Sequence, residues 1–231
     1  MRMIKHGYMD ACIAGGFDKS TATFHDFLVH QIGATSLPGD DLASSFKAFD
    51  KNSGTSYCGD GGAFVVLESE EHALARGAKL ICEVKGYHTL SYGQDFLLNS
   101  QIGIQKLLSN ISQQTGWHPS DLDVINAHGT GTIKGDQVEI DAIKTYLGSK
   151  FEDVVKDKFA GPSSLDLSKL DKTIVNSLKG YMGHMFLAGG STELVMTIRA
   201  MQDNIVFATP NLKDPIDLDL NLLRGNHQEK Q

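Results

Sequence analysis

Val124-Ile-Asn-Ala-His128-Gly-Thr-Gly-Thr132 and, further along the chain, Asn176-Ser-Leu-Lys179-Gly-Tyr-Met-Gly-His184 decide how this sequence is read. Each begins in a short apolar run of strand character and passes into a glycine-rich loop that carries a histidine. Runs of this kind alternating with helical patterns predict a parallel or mixed sheet with helices on its faces. In such sheets sites form beyond the carboxyl ends of the strands, where His128 and His184 fall. Two imidazoles there, with Lys179 just upstream of the second, can stabilise an enolate or oxyanion in acyl-thioester chemistry. Taken singly, each motif has other readings. H-G-T-G-T fits a glycine-rich turn around a hydroxyl-satisfied histidine, and G-Y-M-G-H fits a helix cap or surface histidine. A phosphate loop through Lys134 would need G-x-x-x-x-G-K-[ST], which is absent. The joint occurrence favours a two-histidine site.

Outward from these loops the chain alternates. Ala11 to Ala14 reads as a buried strand leaving through Gly15-Gly16, and Phe17 to Ala43 as loop-rich. Ala63 to Leu67 is strongly β-prone, and Glu68 to Gly77 is a short helix with acidic residues first and glycine last. Lys79 to Tyr92 alternates as one long strand. Leu97 to about Thr115 is a helix presenting Ile102, Ile104, Leu107, Leu108 and Ile111. A second helix from about Asp136 carries Val138, Ile140, Ile143 and Leu147. Gly148 to Lys172 is polar and irregular, an exposed insertion. Thr173 to Asn176 is a buried strand, His184 to Asp203 a long core helix, Ile205 to Ala208 a last short strand, and Asn221 to Gln231 a polar tail.

The 231 residues suffice for one large or two small domains with a real core. A formal charge of −7 without a Lys/Arg cluster gives no footprint for nucleic acid. Apolar runs are too short to span a bilayer, so no membrane partner is expected. Cys12, Cys58 and Cys82 are odd in number and form no C-x-x-C pair, which argues against a disulfide framework or a zinc site and for a reducing compartment.

Together, Val124 to Thr132, Gly135-Asp136-x-x-Glu139, and Asn176 to His184 followed by Ala188-Gly-Gly190 resemble the two histidine motifs of the β-ketoacyl synthases, the condensing enzymes of fatty-acid and polyketide synthesis. Ile13-Ala-Gly-Gly16, Ala48-Phe-Asp-Lys51, Gly59 to Glu68 and Glu71 to Ala78 resemble the same family in the same order. The resemblance implies a thiolase-like α/β fold, layered αβαβα. Residues 1–90 would be the remainder of one half with the crossover, and 91–231 the half carrying both histidine motifs. It implies decarboxylative Claisen condensation of a malonyl group on acyl carrier protein with an acyl thioester. His128 and His184 would stabilise the enolate, Lys179 would orient and tune His184, and Thr130 and Thr132 would hydrogen-bond the phosphopantetheine arm. That arm belongs to the carrier-protein substrate, so no cofactor and no metal are expected of this chain. Asn126 and Glu193 match positions that help hold a monovalent cation in some members, but the remaining ligands are missing.

The sequence also departs from the family. The T-A-C-S-S context of the nucleophilic cysteine and the closing G-F-G-G-T-N segment have no counterpart, and Cys12 aligns with the following strand as a small core residue. No nucleophile is assigned, and the fold is expected to be incomplete at both ends, with apolar surface left for a partner to cover. The expected partners are acyl carrier protein and a second subunit, as homodimer or as heterodimer with a complete synthase. Fatty-acid synthesis is the favoured pathway. The alternatives are a polyketide ketosynthase, or a nucleophile-less partner that decarboxylates malonyl groups or binds carrier protein. Mitochondrial matrix and cytoplasm both fit a reducing compartment.

Overall fold

The computed structural model describes residues 1–19, 42–54, 57–93, 99–159 and 161–229. Helix α1 (Arg2–Lys5) leads into strand β1 (Ala11–Lys19); after α2 (Leu42–Ser45), strand β2 (Asp60–Glu68) returns antiparallel to β1 along its whole length. The short helix α3 (Glu70–Ala75) follows, started by the Ser69 hydroxyl, which accepts from the His72 N–H. Helix α4 (Gln101–Thr115) has the same kind of start at Ser100 and stops at Gly116, whose left-handed backbone a side chain would resist. Strand β3 (Val124–Asn126), helix α5 (Ile133–Gly148), the turn-long α6 (Phe151–Val154) and strand β4 (Ile174–Asn176) come next. The chain closes through α7 (Lys179–Met182), α8 (Gly189–Asp203), β5 (Ile205–Val206), β6 (Asn221–Leu222) and β7 (Gln228–Glu229).

The sheet that carries the site is the parallel set β3-β4-β6, with Asn126 opposite Asn176 and Val175 opposite Leu222. Its β-branched residues pack against Ile140, Ile143 and Leu147 of α5, forming the centre of the core with Phe49 and Leu170. The β1–β2 ladder stands apart and lays one face on α8. Its opposite face is apolar and open, with Ile13 and Phe17 about three-quarters exposed and Phe64 and Val66 beside them.

Several expectations need correction. Β1 does not leave through Gly15-Gly16 but continues to Lys19, because Gly16 lets the ladder approach the Leu187 carbonyl, where a Cβ would sit 2.7 Å from the oxygen. Nor is it buried on both faces. Lys79 to Tyr92 forms no strand and joins no ladder among the described residues, and a cavity of about 500 Å³ lies between its first half, β2 and α8. On α4, Ile102 points outward while Ser109 and Ser112 are buried, spending their hydroxyls on the Val154 carbonyl and the Tyr146 phenol. The 148–172 region is irregular, yet Val154 and Leu170 anchor it in the core. Helix α8 starts only at Gly189, and its Leu194, Val195 and Met201 reach the surface. The polar tail contains β6 and β7, too short to carry a periodic pattern. Most of the expected loop from Phe17 to Ala43, and the first two residues expected of helix α4, Leu97 and Leu98, lie outside the described residues.

The two faces of these helices differ in what they can lose. Ile140→Ala, in the α5 core, is expected to cost about 2–5 kcal/mol, whereas Ile102→Ala on exposed α4 should stay within about 0.5 kcal/mol. Urea denaturation of both variants tests the assignment of the core.

Candidate active site

Both histidine loops sit at the carboxyl end of the parallel sheet. From β3 the chain passes through Ala127, whose N–H donates to the Asn176 carbonyl, directly into His128. The loop must then turn sharply. Gly129 adopts φ +41°, and a Cβ there would lie 2.5 Å from that of Ser177 and 2.8 Å from the Phe49 ring. Only glycine fits this backbone and this space. The close approach is fixed by a hydrogen bond: the Ser177 hydroxyl donates to the Gly129 carbonyl at 2.9 Å, tying the second histidine loop to the first.

Two carboxylates from α5 hold the first loop from below. Glu139 accepts the N–H groups of His128 and Gly129, one on each oxygen, both at 2.7 Å. Asp136 accepts from Phe49 N–H at 2.7 Å and from Gly131 N–H at 3.1 Å. Phe49 pays for that bond with a left-handed backbone at φ +62°, a strain that a fully buried ring can hold in place. Burial, with the nearby Glu139 charge, pushes Asp136 up to about 7 despite its N–H donors, and burial raises Glu139 as well.

His184 does not start the long helix as the sequence suggests; it closes the loop that precedes it. Helix α7 intervenes after β4, Gly183 takes φ +75°, and His184 then forms a backbone bridge with Cys58. The His128 and His184 rings meet edge to face, centroids 5.3 Å apart at 83°. Lys179, on α7, is only 2% exposed and pairs with Glu193 of α8. Desolvation pushes His184 down to about 3, helped by the positive charge of Lys179. His128, an exposed residue on the rim of its loop, is lowered to about 4 for the same two reasons, and its proximity adds to the depression of His184. Both rings are therefore neutral at pH 7 and able to donate an N–H without carrying charge.

The structure thus brings His128, His184 and Lys179 together. Thr130 and Thr132 lie on the same loop, their hydroxyls 2.9 Å apart. Asn126 donates to Asn176 Oδ1, and Glu193 is engaged by Lys179. Among the described residues no cluster of three or more His, Cys, Asp or Glu is arranged to hold a metal. Cys12 lies on the half-buried face of β1 and Cys82 is exposed. Sequence reasoning gave no role to Asp136, Glu139, Ser177 or Phe186. The first two were visible as carboxylates in the opening turns of a helix after a glycine loop, while Ser177 and Phe186 left no signal.

Comparisons with known proteins agree with one another. The family model described as "Beta-ketoacyl synthase, C-terminal domain" matches residues 81–160 and 162–213, more than half of the chain. A putative polyketide beta-ketoacyl synthase 1 of Streptomyces cyaneus is 31% identical over 221 residues, covering 94% of this chain and 48% of that protein. The 3-oxoacyl-[acyl-carrier-protein] synthase 2 of Vibrio cholerae is also 31% identical over 221 residues, covering 93% and 48%. The chain spans about half the length of the curated relatives it matches. The crystal structure of a beta-ketoacyl synthase from Burkholderia phymatum superposes with a TM-score of 0.84 at 25% identity, over 99% of this chain and 51% of that one. A type II polyketide ketosynthase in complex with its acyl-carrier protein gives 0.85 at 23% identity, over 99% and 52%, a likeness of fold.

The pKa directions give a signed expectation. Because the two imidazoles are held below their ordinary 6.5, the unfolded chain binds protons that the folded one refuses as pH falls from 6.5 toward 3. The stability they contribute is present above 6.5 and drains away in that window. Asp136, raised from 3.8 to about 7, acts oppositely: its contribution is complete below 3.8 and lost as pH rises toward 7. Removing one depressed imidazole by His184→Gln should therefore shrink the loss of unfolding free energy between pH 7 and pH 5. Denaturant titrations of both proteins at the two pH values measure it.

Proposed function

Because the chain belongs to the β-ketoacyl synthase family and shares its thiolase-like α/β fold, we propose that it carries the enolate-stabilising part of a 3-oxoacyl-[acyl-carrier-protein] synthase. The observation behind this reading is the pair of neutral imidazoles meeting edge to face at the carboxyl end of a parallel sheet. A malonyl thioester bound there breaks the bond between its α-carbon and its carboxylate. Carbon dioxide leaves, and the electron pair passes into the thioester carbonyl, whose oxygen becomes the enolate oxygen. An oxygen seated between the rings accepts an N–H from each, and one such donor is worth roughly 10²–10³ in rate. A charged imidazolium would tend to hand over its proton and quench the carbanion, so neutrality suits the chemistry. Desolvation maintains it, with the charge of Lys179 adding to the effect. In condensation the carbanion attacks an acyl thioester, and the sulfur of that thioester departs as the thiolate.

Thr130 and Thr132, on the loop that carries His128, are proposed to hydrogen-bond the phosphopantetheine arm of a carrier protein. Among similar proteins, one solved ketosynthase is bound to its acyl-carrier protein and another is a ketosynthase/chain length factor. These support carrier protein and a second subunit as partners. Fatty-acid synthesis is the first pathway proposed. The Streptomyces relative favours polyketide synthesis as a second reading. A subunit that decarboxylates malonyl groups without its own acyl-cysteine fits the same geometry.

The test is release of carbon dioxide from malonyl-CoA and from malonyl-carrier protein by the full chain. His128→Ala and His184→Ala are each expected to lower the rate by about 10²–10³. Unchanged rates in both would remove the site assignment.

A further inference from the structure

The backbone around His184 is fixed at both ends. His184 N–H donates to the Tyr57 carbonyl at 2.6 Å, its own carbonyl accepts from Gly59 N–H at 3.1 Å, and Leu187 N–H donates to Asp18 Oδ2 at 2.9 Å. The imidazole is held differently. Its Nδ1 atom is buried and has no hydrogen-bond partner among the described residues. A catalytic histidine is commonly oriented by a hydrogen bond at its second nitrogen; without one, the ring can turn about its last torsion unless packing stops it. Phe186 provides that packing. Its ring lies flat on the imidazole, centroids 4.3 Å apart and planes within 13°, while His128 meets the same imidazole edge-on. Neighbouring Met185 is the buried member of this segment, whereas Phe186 is 40% exposed.

We propose that Phe186 is a positioning residue for His184, fixing the plane of the imidazole so that its N–H edge meets the site across from His128. The proposal rests on the reading of the two histidines as enolate donors. Three ionisable groups face the ring: Lys179 from α7, His128 from the loop after β3 and Asp18 from β1. The first two oppose a positive imidazole and the third favours it, so turning the ring or admitting water changes its proton affinity.

The experiment follows the ring resonances of His184 in the full chain by NMR against pH, alongside malonyl-CoA decarboxylation. It uses Phe186→Ala, Phe186→Leu and Phe186→Trp. The alanine and leucine variants are expected to raise the His184 pKa from about 3 toward 6.5, by about one unit or more as water reaches the exposed face. They should lower kcat about tenfold with little change in KM, part of the effect of one oxyanion donor. Tryptophan, which keeps a flat aromatic face, should restore both. An unchanged titration in the alanine and leucine variants overturns the proposal. If His184→Ala decarboxylates at the wild-type rate, the functional reading falls, and the titration still decides whether Phe186 orients the ring. The leucine variant keeps the bulk, so its result stands even if the alanine variant unfolds.

Discussion

A lysine ammonium removed from water is the constraint around which the site is built. Lys179 is almost fully buried, and an isolated buried cation would be prohibitively costly. Glu193 meets it from α8, while Glu139, on α5, feels its charge and accepts both N–H groups at the start of the first histidine loop. One charge thus links two long helices and both loops. It also adds to what desolvation already does to the histidines, since a fixed positive charge beside the two imidazoles makes a second and third positive charge unfavourable.

The carboxylates below the first loop work at cross purposes with burial. Asp136 and Glu139 are both pushed toward the neutral acid by desolvation, and both are drawn back by backbone donors. The donors belong to His128, Gly129 and Gly131 and to the strained Phe49. The loop therefore keeps its shape only while those oxygens accept, and its N–H donors offset part of the desolvation that raises both carboxyls. This mutual dependence is a physical reason for a glycine at 129, because any side chain would move the donors away from Glu139 and into Ser177.

What could be read in advance follows from the range of the interactions. Strands β3 and β4, helix α5 and the placement of both histidine loops after strand ends depend on local apolar periodicity, which a sequence displays directly. The extent of β1, the unpaired course of Lys79 to Tyr92 and the late start of α8 depend on what lies alongside. Gly15-Gly16 looks like a turn until the Leu187 carbonyl is seen to need the space. Ser109 and Ser112 look like the wet face of α4 until their partners at Val154 and Tyr146 appear. Within the site, the histidines and Lys179 stood out by motif, whereas Phe186 and Ser177 act only through contacts made by folding.

The β1–β2 ladder shows how one element can be essential on one face and unfinished on the other. Its inner side supplies Asp18 to tether Leu187, gives Gly16 for close approach, and leads back through Cys58 and Gly59 to the backbone of His184. Its outer side presents Ile13, Phe17, Phe64 and Val66 to solvent. A continuous apolar face of that kind is costly in water and marks a surface that gains by being covered. A two-stranded ribbon is marginal by itself, so the precision with which it holds His184 depends on its packing against α8 and the 184–188 segment. Asp18 and the Cys58 bridge are the contacts by which the ribbon reaches the backbone of the second histidine, without touching either imidazole.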